Sequence, residues 1–363
     1  MRMYLWGLSL LPYLGSIRIK RLVHALGSES AAFHATQRQL QTTLGMNSNH
    51  ARAIIDARSA MDIEKKWHDL NATEGMEIVT WLDTDYPYRL QQIADPPPVI
   101  YCQGDLACVQ GPTVAIVGRR RASNRGLGWA RRLGRELAQA GLTVVSGLAL
   151  GIDTAAHEGS LMTGKTAAVL GTGLDVNYPK RNRQLAKDIA HSGVLITPFP
   201  PGTPPLRGNF PARNRVISGL SVGVIVVEAG KRSGALITAS MALDQDRDVY
   251  AVPGDPLDSG AAGPNRLIQE GAKLIRGAED VLDEMRLARQ LPLPTLEGFP
   301  GEEAGKAVGP LGDLLSHLGE PLHVDELALR TGLSVSKVNS SLLRLQLIGL
   351  VEELSAGVFQ RVS

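Results

Sequence analysis

Between residues 113 and 254 the chain repeats one pattern, a short apolar run followed by a helical stretch, and no other feature narrows the possible folds as far. The runs read TVAIVG (113–118), LTVVSG (142–147), TAAVLG (166–171), GVLIT (193–197), VGVIVVEA (222–229) and DVYAVPG (248–254). Helical stretches lie between most of them, over 126–140, 152–162 and 235–243. A strand with one wet face alternates apolar and polar residues, whereas a strand that is apolar throughout needs cover on both faces, which crossover helices on a parallel sheet supply. The pattern predicts an α/β fold over residues 76–287: an extended Rossmann-like, mostly parallel sheet flanked by helices, with ligand sites beyond the carboxyl ends of its strands. Many of the 39 glycines punctuate the apolar runs, where a strand must turn sharply.

The flanks differ in kind. Residues 1–75 read as a small helical domain of the SAM or helix-hairpin-helix type, with LWGLSLLPYLG, IRIKRLVHALG, SESAAFHAT and a helical run over 50–70. The turn Leu11-Pro12-Tyr13-Leu14-Gly15 before an amphipathic helix suits a hairpin that holds a DNA backbone through helix-start amides; structural packing and contact with another protein are the alternatives. Residues 288–308, rich in proline, glycine and charge without periodicity, read as a linker. Residues 309–363 read as a winged helix: three helices, then the hairpin LVEELSAGVFQRV. From residue 310 onward six acidic residues stand against four basic ones, a poor balance for binding duplex DNA. A regulatory or protein-contact role for this domain is the favoured expectation.

Net charge is +2 in 363 residues, so a nucleic-acid function has to rest on where the arginines lie. With 4% aromatic residues, an extended stacking platform for bases is not the main device. The opening MRMYLWGLSLLPYLG lacks a small-residue cleavage site, and no early stretch is long enough to span a membrane; the chain reads as cytoplasmic. Its two cysteines, Cys102 and Cys108, fit neither a disulfide scaffold nor a metal ligand set.

Where the first strand ends, a dinucleotide site requires G-x-G-x-x-G, and the chain has Gly118-Arg119-Arg120-Arg121-Ala122-Ser123-Asn124-Arg125-Gly126 instead. Seven arginines fall between Arg119 and Arg135, and Arg119, Arg120, Arg121 and Arg125 lie in or beside the loop, an arrangement suited to several successive phosphates. GSLMTGKT (159–166) matches the letters of a P-loop, but a helix precedes it and a strand follows, which puts Lys165 at the wrong end of the sheet. The turn after the third strand, 171–183, brings Tyr178, Lys180, Arg181, Asn182 and Arg183 to the ligand edge; Gly208 to Arg215 adds Phe210 for one base and Arg213 and Arg215 for phosphates. Internal pairing of these two arginines, for example with Glu228, is the other reading. Ser233 and Gly234 sit where helix-start amides can form an anion nest. Glu228 at a strand end invites a catalytic reading, yet no matched partner is evident from spacing. Asp153 and His157 share a helix face; acid-base chemistry, metal ligation, and hydrogen bonding that holds the Ser146-Gly147 turn all remain open.

Four ordered segments, VAIVGRRRASNRG, VVSGLALGIDTAAHEGSL, AVLGTGLDVNYPKRN and FPARNRVISGLSVGVIVVEAGKRSGALITASMALDQDRDVYAVPG, resemble the DNA-processing protein A family, DprA or Smf, over about residues 80–283. The resemblance implies a bacterial cytoplasmic protein of natural transformation that coats and protects incoming single-stranded DNA and helps load the recombinase RecA. It also implies a homodimer through the Rossmann-like domain, and neither enzymatic activity nor a cofactor. It carries DNA contact onto Arg120, the segment Lys180 to Asn182, Phe210, Arg213 and Arg215, and the neighbouring Gly147 belongs to the same expected lip. Two positions depart from the family pattern: Arg119 stands where a serine is usual, implying stronger and more salt-sensitive binding, and Thr197-Pro198 stands where Ser-Glu is usual.

Two other function classes compete. A nucleotide-processing enzyme of the phosphoribohydrolase kind would need PGGxGTxxE where this chain has EAGKRSGALITA, and a winged-helix transcription regulator would need duplex preference, which the acidic tail disfavours.

Overall fold

A computed structural model describes residues 1–290, 314–333, 335–347, 351–355 and 357–361. The chain divides into two compact units, Met1–Ala288 and Arg289–Ser363. Of the expected linker, residues 291–308 lie outside the described residues, while 288–290 close a helix.

The first unit opens with α1 (Arg2–Leu10), α2 (Ser16–Leu26), α3 (Glu29–Phe33), α4 (Gln37–Leu44), α5 (Ser48–Ser59) and α6 (Ile63–Asn71). Sequence reading passes over α4 because Leu40 and Leu44 are its only buried residues; its signal is the capping box of Thr36 and Gln39. The helical run over 50–70 is in fact two helices, and the Asp62 side chain caps the second by accepting from the Lys65 amide. These helices pack on the sheet. Trp6 clusters with Ile78, Val99 and Tyr101, and its indole Nε1–H donates to the Tyr101 hydroxyl at 2.9 Å.

Next come β1 (Glu77–Thr80), α7 (Tyr88–Gln91), β2 (Val99–Gly104), β3 (Thr113–Val117), α8 (Asn124–Gln139), β4 (Thr143–Ser146), α9 (Ile152–Ser160), β5 (Thr166–Val169), α10 (Arg183–Ser192), β6 (Val194–Thr197), α11 (Asn209–Leu220), β7 (Gly223–Val226), α12 (Gly234–Asp244), β8 (Asp248–Ala251), α13 (Ala262–Gln269), β9 (Lys273–Leu274) and α14 (Ala278–Gln290). They build one sheet in the order β1-β2-β6-β5-β4-β3-β7-β8-β9. From β6 to β9 all pairings are parallel, and β2 and β1 add an antiparallel edge. The mixed α/β core flanked by helices is therefore the architecture that the apolar runs predict. The antiparallel edge is an addition to it.

Both faces of the sheet are covered, which is why its strands do not alternate. Val114 and Ile116 of β3 pack with Ala130, Leu133 and Leu137 of α8, while Ala115 and Val117 face Val216 and Leu220 of α11. Strand order reverses between β3 and β7, the switch point that leaves a crevice at the carboxyl ends of such sheets. Helices α8 and α9 meet through glycine: a Cβ on Gly134 would overlap the Ala156 carbonyl, and one on Gly159 the Arg131 carbonyl. This close approach seats the start of α9 against the loop that follows β3.

In the second unit, helices Val324–Thr331 and Val335–Leu347 pack with Leu314, Leu318 and Phe359 beside the three strands Leu322–His323, Val351–Ser355 and Val358–Arg361, a winged-helix arrangement. Among the described residues, no helix is long and apolar enough to cross a membrane.

Candidate nucleic-acid interface

The carboxyl ends of β3, β4 and β5 border a cavity of about 50 Å³. One water requires roughly 10–15 Å³ of such space, so the cavity takes a few waters or a phosphate group but not a nucleoside. Arg120 from the β3 loop, Gly147 after β4, Gly171 after β5, and Tyr178, Phe210 and Arg213 face it.

Arg213 on α11 is its floor. It is 5% exposed, and its Nη1 donates to the carbonyls of Gly147 and Val169, joining the ends of β4 and β5. A Cβ on Gly147 would overlap this guanidinium, so glycine is the residue the contact allows. Burial pulls the Arg213 pKa down to about 10, with Asp153 opposing the shift, and the group remains a cation at neutral pH. Its Nε has no partner among the described residues.

Asp153 accepts from the amides of Gly147 at 3.1 Å and Ala149 at 3.3 Å, fixing the turn at the cavity wall. Burial pushes its carboxyl up from the ordinary value, while Arg213 and these amides oppose the rise. His157, fully buried, lies 2.7 Å from the Thr166 hydroxyl through Nδ1. That hydroxyl spends its one proton on the Val144 carbonyl, so Nδ1 must be the donor and Nε2 the bare nitrogen. Burial, then the Arg213 charge, depresses the imidazole pKa to about 3. Of the three readings open for this pair, the geometry gives hydrogen bonding: Asp153 holds the turn after Ser146, and His157 ties α9 to β5. Among the described residues, no group of three or more His, Cys, Asp or Glu is placed to hold a metal ion.

The mouth is aromatic and cationic. The Arg120 guanidinium carbon lies 5.4 Å from the centroid of the Phe210 ring, and the Tyr178 ring lies 5.7 Å away on a 46° tilt. A Cβ on Gly171 would come within 3.0 Å of the same ring. Phe210 is thus hemmed in by Arg120, Tyr178 and Gly171, not standing free for a base as the sequence suggested. Tyr178, 38% exposed, is the accessible aromatic face. Sequence reading noticed Tyr178 in its turn without assigning it a role; its signal was an aromatic-proline pair directly before Lys180.

Several expected lip residues go elsewhere. Phe210, Arg213 and Arg215 lie on a helix, and a two-residue step turns about 200° around a helix. Arg215 therefore leaves the cavity on the opposite face and pairs with Asp95. Internal pairing was the alternative reading for Arg215, with Asp95 as partner in place of Glu228. Asn182 is 5% exposed and donates to the Leu148 carbonyl at 2.9 Å and the Thr154 hydroxyl at 2.8 Å, which makes it a brace. Arg119 turns away from the cavity: its Nε donates to the Arg121 carbonyl and lies 3.6 Å from the Glu228 carboxylate. Ser233 caps α12 by accepting from the Ala235 amide, and neither it nor Gly234 faces this cavity. Arg121, Arg125 and Lys180 are exposed, and Lys180 follows Pro179 at the rim. Lys165 of the P-loop-like stretch pairs with Asp105 at 2.6 Å before β5, at the opposite end of the strand from the cavity.

On the other side of the β3 loop, by the ends of β7 and β8, lies a larger cavity of about 320 Å³. Ser123, Arg125, Trp129, Glu228, Asp255 and Asp258 face it. Three carboxylates against one guanidinium make it a poor receptor for phosphate.

Residues 77–286 match the model of the family described as DNA recombination-mediator protein A, and residues 307–357 match the DprA winged helix domain. The chain is similar to Protein Smf of Synechocystis sp., with 36% identity over 96% of this chain and 95% of that protein. Among solved structures it resembles DNA processing protein A of Streptococcus pneumoniae, with 36% identity, a TM-score of 0.69, and coverage of 78% of this chain and 98% of that one. It also resembles DNA processing protein A of Helicobacter pylori, whose structure concerns its single-stranded DNA binding mode, with 30% identity, a TM-score of 0.54, and coverage of 59% and 96% respectively.

Proposed function

The chain belongs to the DNA recombination-mediator protein A family, and from that premise we propose that it binds single-stranded DNA at the carboxyl edge of its parallel sheet. The observation that carries this reading is the small cavity floored by the buried Arg213 cation and rimmed by Arg120, Phe210 and Tyr178. Two guanidiniums attract a backbone phosphate, and the exposed Tyr178 ring offers a surface on which an unpaired base stacks, so a paired duplex gains less. Lys180, at the rim, adds a further phosphate contact. In this reading the chain works in the bacterial cytoplasm during natural transformation, protects the incoming strand, and helps to load RecA on it. It acts as a homodimer through the Rossmann-like domain and performs no chemistry on the strand. The exposed Ile237 and Leu243 on α12 and Leu274 on the edge strand β9 supply apolar surface for that pairing.

Fluorescence anisotropy of a labelled oligonucleotide and its duplex, titrated over a salt series, tests the reading. Tight, salt-dependent binding to the single strand with weaker duplex binding is expected. Equal affinity for both forms would reject single-strand selectivity.

A further inference from the structure

The β3 loop carries two adjacent arginines that point to opposite sides. Arg120 projects over Phe210 at the small cavity, and Arg119 projects toward Glu228, which faces the large one. The Glu228 carboxylate faces this loop from a residue that is 8% exposed. One of its oxygens accepts from the Ser123 amide at 3.0 Å and the other from the Ser123 hydroxyl. The Glu228 carbonyl accepts from the Arg119 amide at 2.7 Å, and the carboxylate lies 3.6 Å from the Arg119 Nε. A Cβ on Gly126 would overlap the carboxylate, so the first turn of α8 is shaped around it. From the other side the loop is closed in by Gly151 (φ +87°), where any Cβ would overlap the Arg119 and Arg120 carbonyls. The Arg119 tip then rests against Gly260, beside Asp258.

We propose that Glu228 is a positioning residue that decides which of these two cations meets DNA, withdrawing Arg119 from the phosphate path while holding the loop so that Arg120 faces the strand. The family resemblance leads one to expect serine at the position of Arg119. By this account the extra cation adds nothing to DNA affinity, contrary to the stronger and more salt-sensitive binding that the sequence suggests. The inference rests on the single-strand reading above.

The test is the slope of log affinity against log salt for a single-stranded oligonucleotide, measured on the full chain and on Arg119→Ala, Arg120→Ala and Glu228→Gln. Each phosphate contact contributes about 0.7 to this slope for a single strand. Arg120→Ala flattens the slope by about 0.7, whereas Arg119→Ala leaves it unchanged. Glu228→Gln keeps one acceptor oxygen for Ser123 and loses the charge that holds Arg119, so its slope steepens by about 0.7, and adding Arg119→Ala to it restores the original value. A purely structural role for Glu228 would weaken binding without steepening the slope, and that result overturns the proposal. If Glu228→Gln fails to fold, the arginine pair still decides: equal flattening by Arg119→Ala and Arg120→Ala overturns the sorting while leaving the single-strand reading intact. If the unaltered chain binds no single strand, the functional reading falls and the inference with it.

Discussion

Two cavities open beside one loop, at the same edge of the same sheet, and they have opposite character. The one between β3, β4 and β5 is small, floored by a buried arginine and rimmed by aromatic rings; the one between β3, β7 and β8 is about six times larger, and its charged residues are three carboxylates and one arginine. The fold supplies both positions, and volume alone would choose the second, which lies at the switch point of strand order. Charge chooses the first: a strand of phosphates is repelled by Glu228, Asp255 and Asp258 and attracted by Arg120 and Arg213. In this sheet a site is recognised by the sign of its walls more than by its size.

The comparison breaks most severely at Arg213. Arg213→Ala strips donors from the buried Gly147 and Val169 carbonyls and loosens the ends of β4 and β5. A loss on the order of 3 kcal/mol in urea unfolding is expected, with DNA binding lost alongside. A variant that is fully stable yet unable to bind would instead make Arg213 a direct contact with no structural part.

Beneath the same cavity, His157 ties stability to pH. Folded, it stays neutral down to about pH 3, while the unfolded chain protonates it below about 6.5. The unfolded state therefore binds the extra proton, and stability falls as pH drops from 6.5 toward 3. The full slope is about 1.4 kcal/mol per pH unit. Asp153, whose carboxyl is pushed up, acts in the opposite sense, because the folded chain keeps a proton there that the unfolded chain has lost. His157→Gln should flatten the dependence, as read from unfolding midpoints at pH 7 and pH 5. An unchanged pH profile would contradict the neutral, buried assignment.

Arg120→Ala should do the converse of Arg213→Ala. Stability stays within about 0.5 kcal/mol, as for an exposed substitution, and binding weakens uniformly across oligonucleotide sequences. Sequence-dependent weakening would point to base readout instead. The smallest effect belongs to Arg215, in neither cavity: Arg215→Ala removes the half-exposed pair with Asp95, costs about 1 kcal/mol or less, and leaves the salt dependence of binding as it was. Loss of DNA affinity in that variant would return Arg215 to the interface.

How far the sequence reveals this arrangement depends on the reach of each signal. Six of the seven parallel strands, β3 to β8, are legible because burial on both faces writes an unbroken apolar run. The antiparallel pair β1 and β2 is not, because EIVT and VIYCQG are short, are broken by polar residues and follow loop-like stretches. The arginine-rich loop, Phe210 and Arg213 are legible as an approximate address. Their exact neighbours are not, since Pro211 makes the segment look like a loop. It occupies the third position of α11, inside the first turn, where a missing N–H leaves no intrahelical bond unmade. Once the segment is helical, Arg213 and Arg215 must part. Nor does local sequence announce partners such as Asp95 for Arg215 or Glu228 for Arg119, each more than a hundred positions away. Charge patterning identifies candidate cations, and only the packed chain says which have already been neutralised.

The central claim, that a single strand lies on the small basic cavity and not on the large acidic one, is tested most directly by photocrosslinking. A 5-iodouracil oligonucleotide would be irradiated in complex with the full chain and the adducts mapped by mass spectrometry. The account predicts adducts on Tyr178, the accessible ring at the mouth of that cavity. Adducts confined to Trp129, or to the winged-helix segment Val324–Leu347, would contradict it.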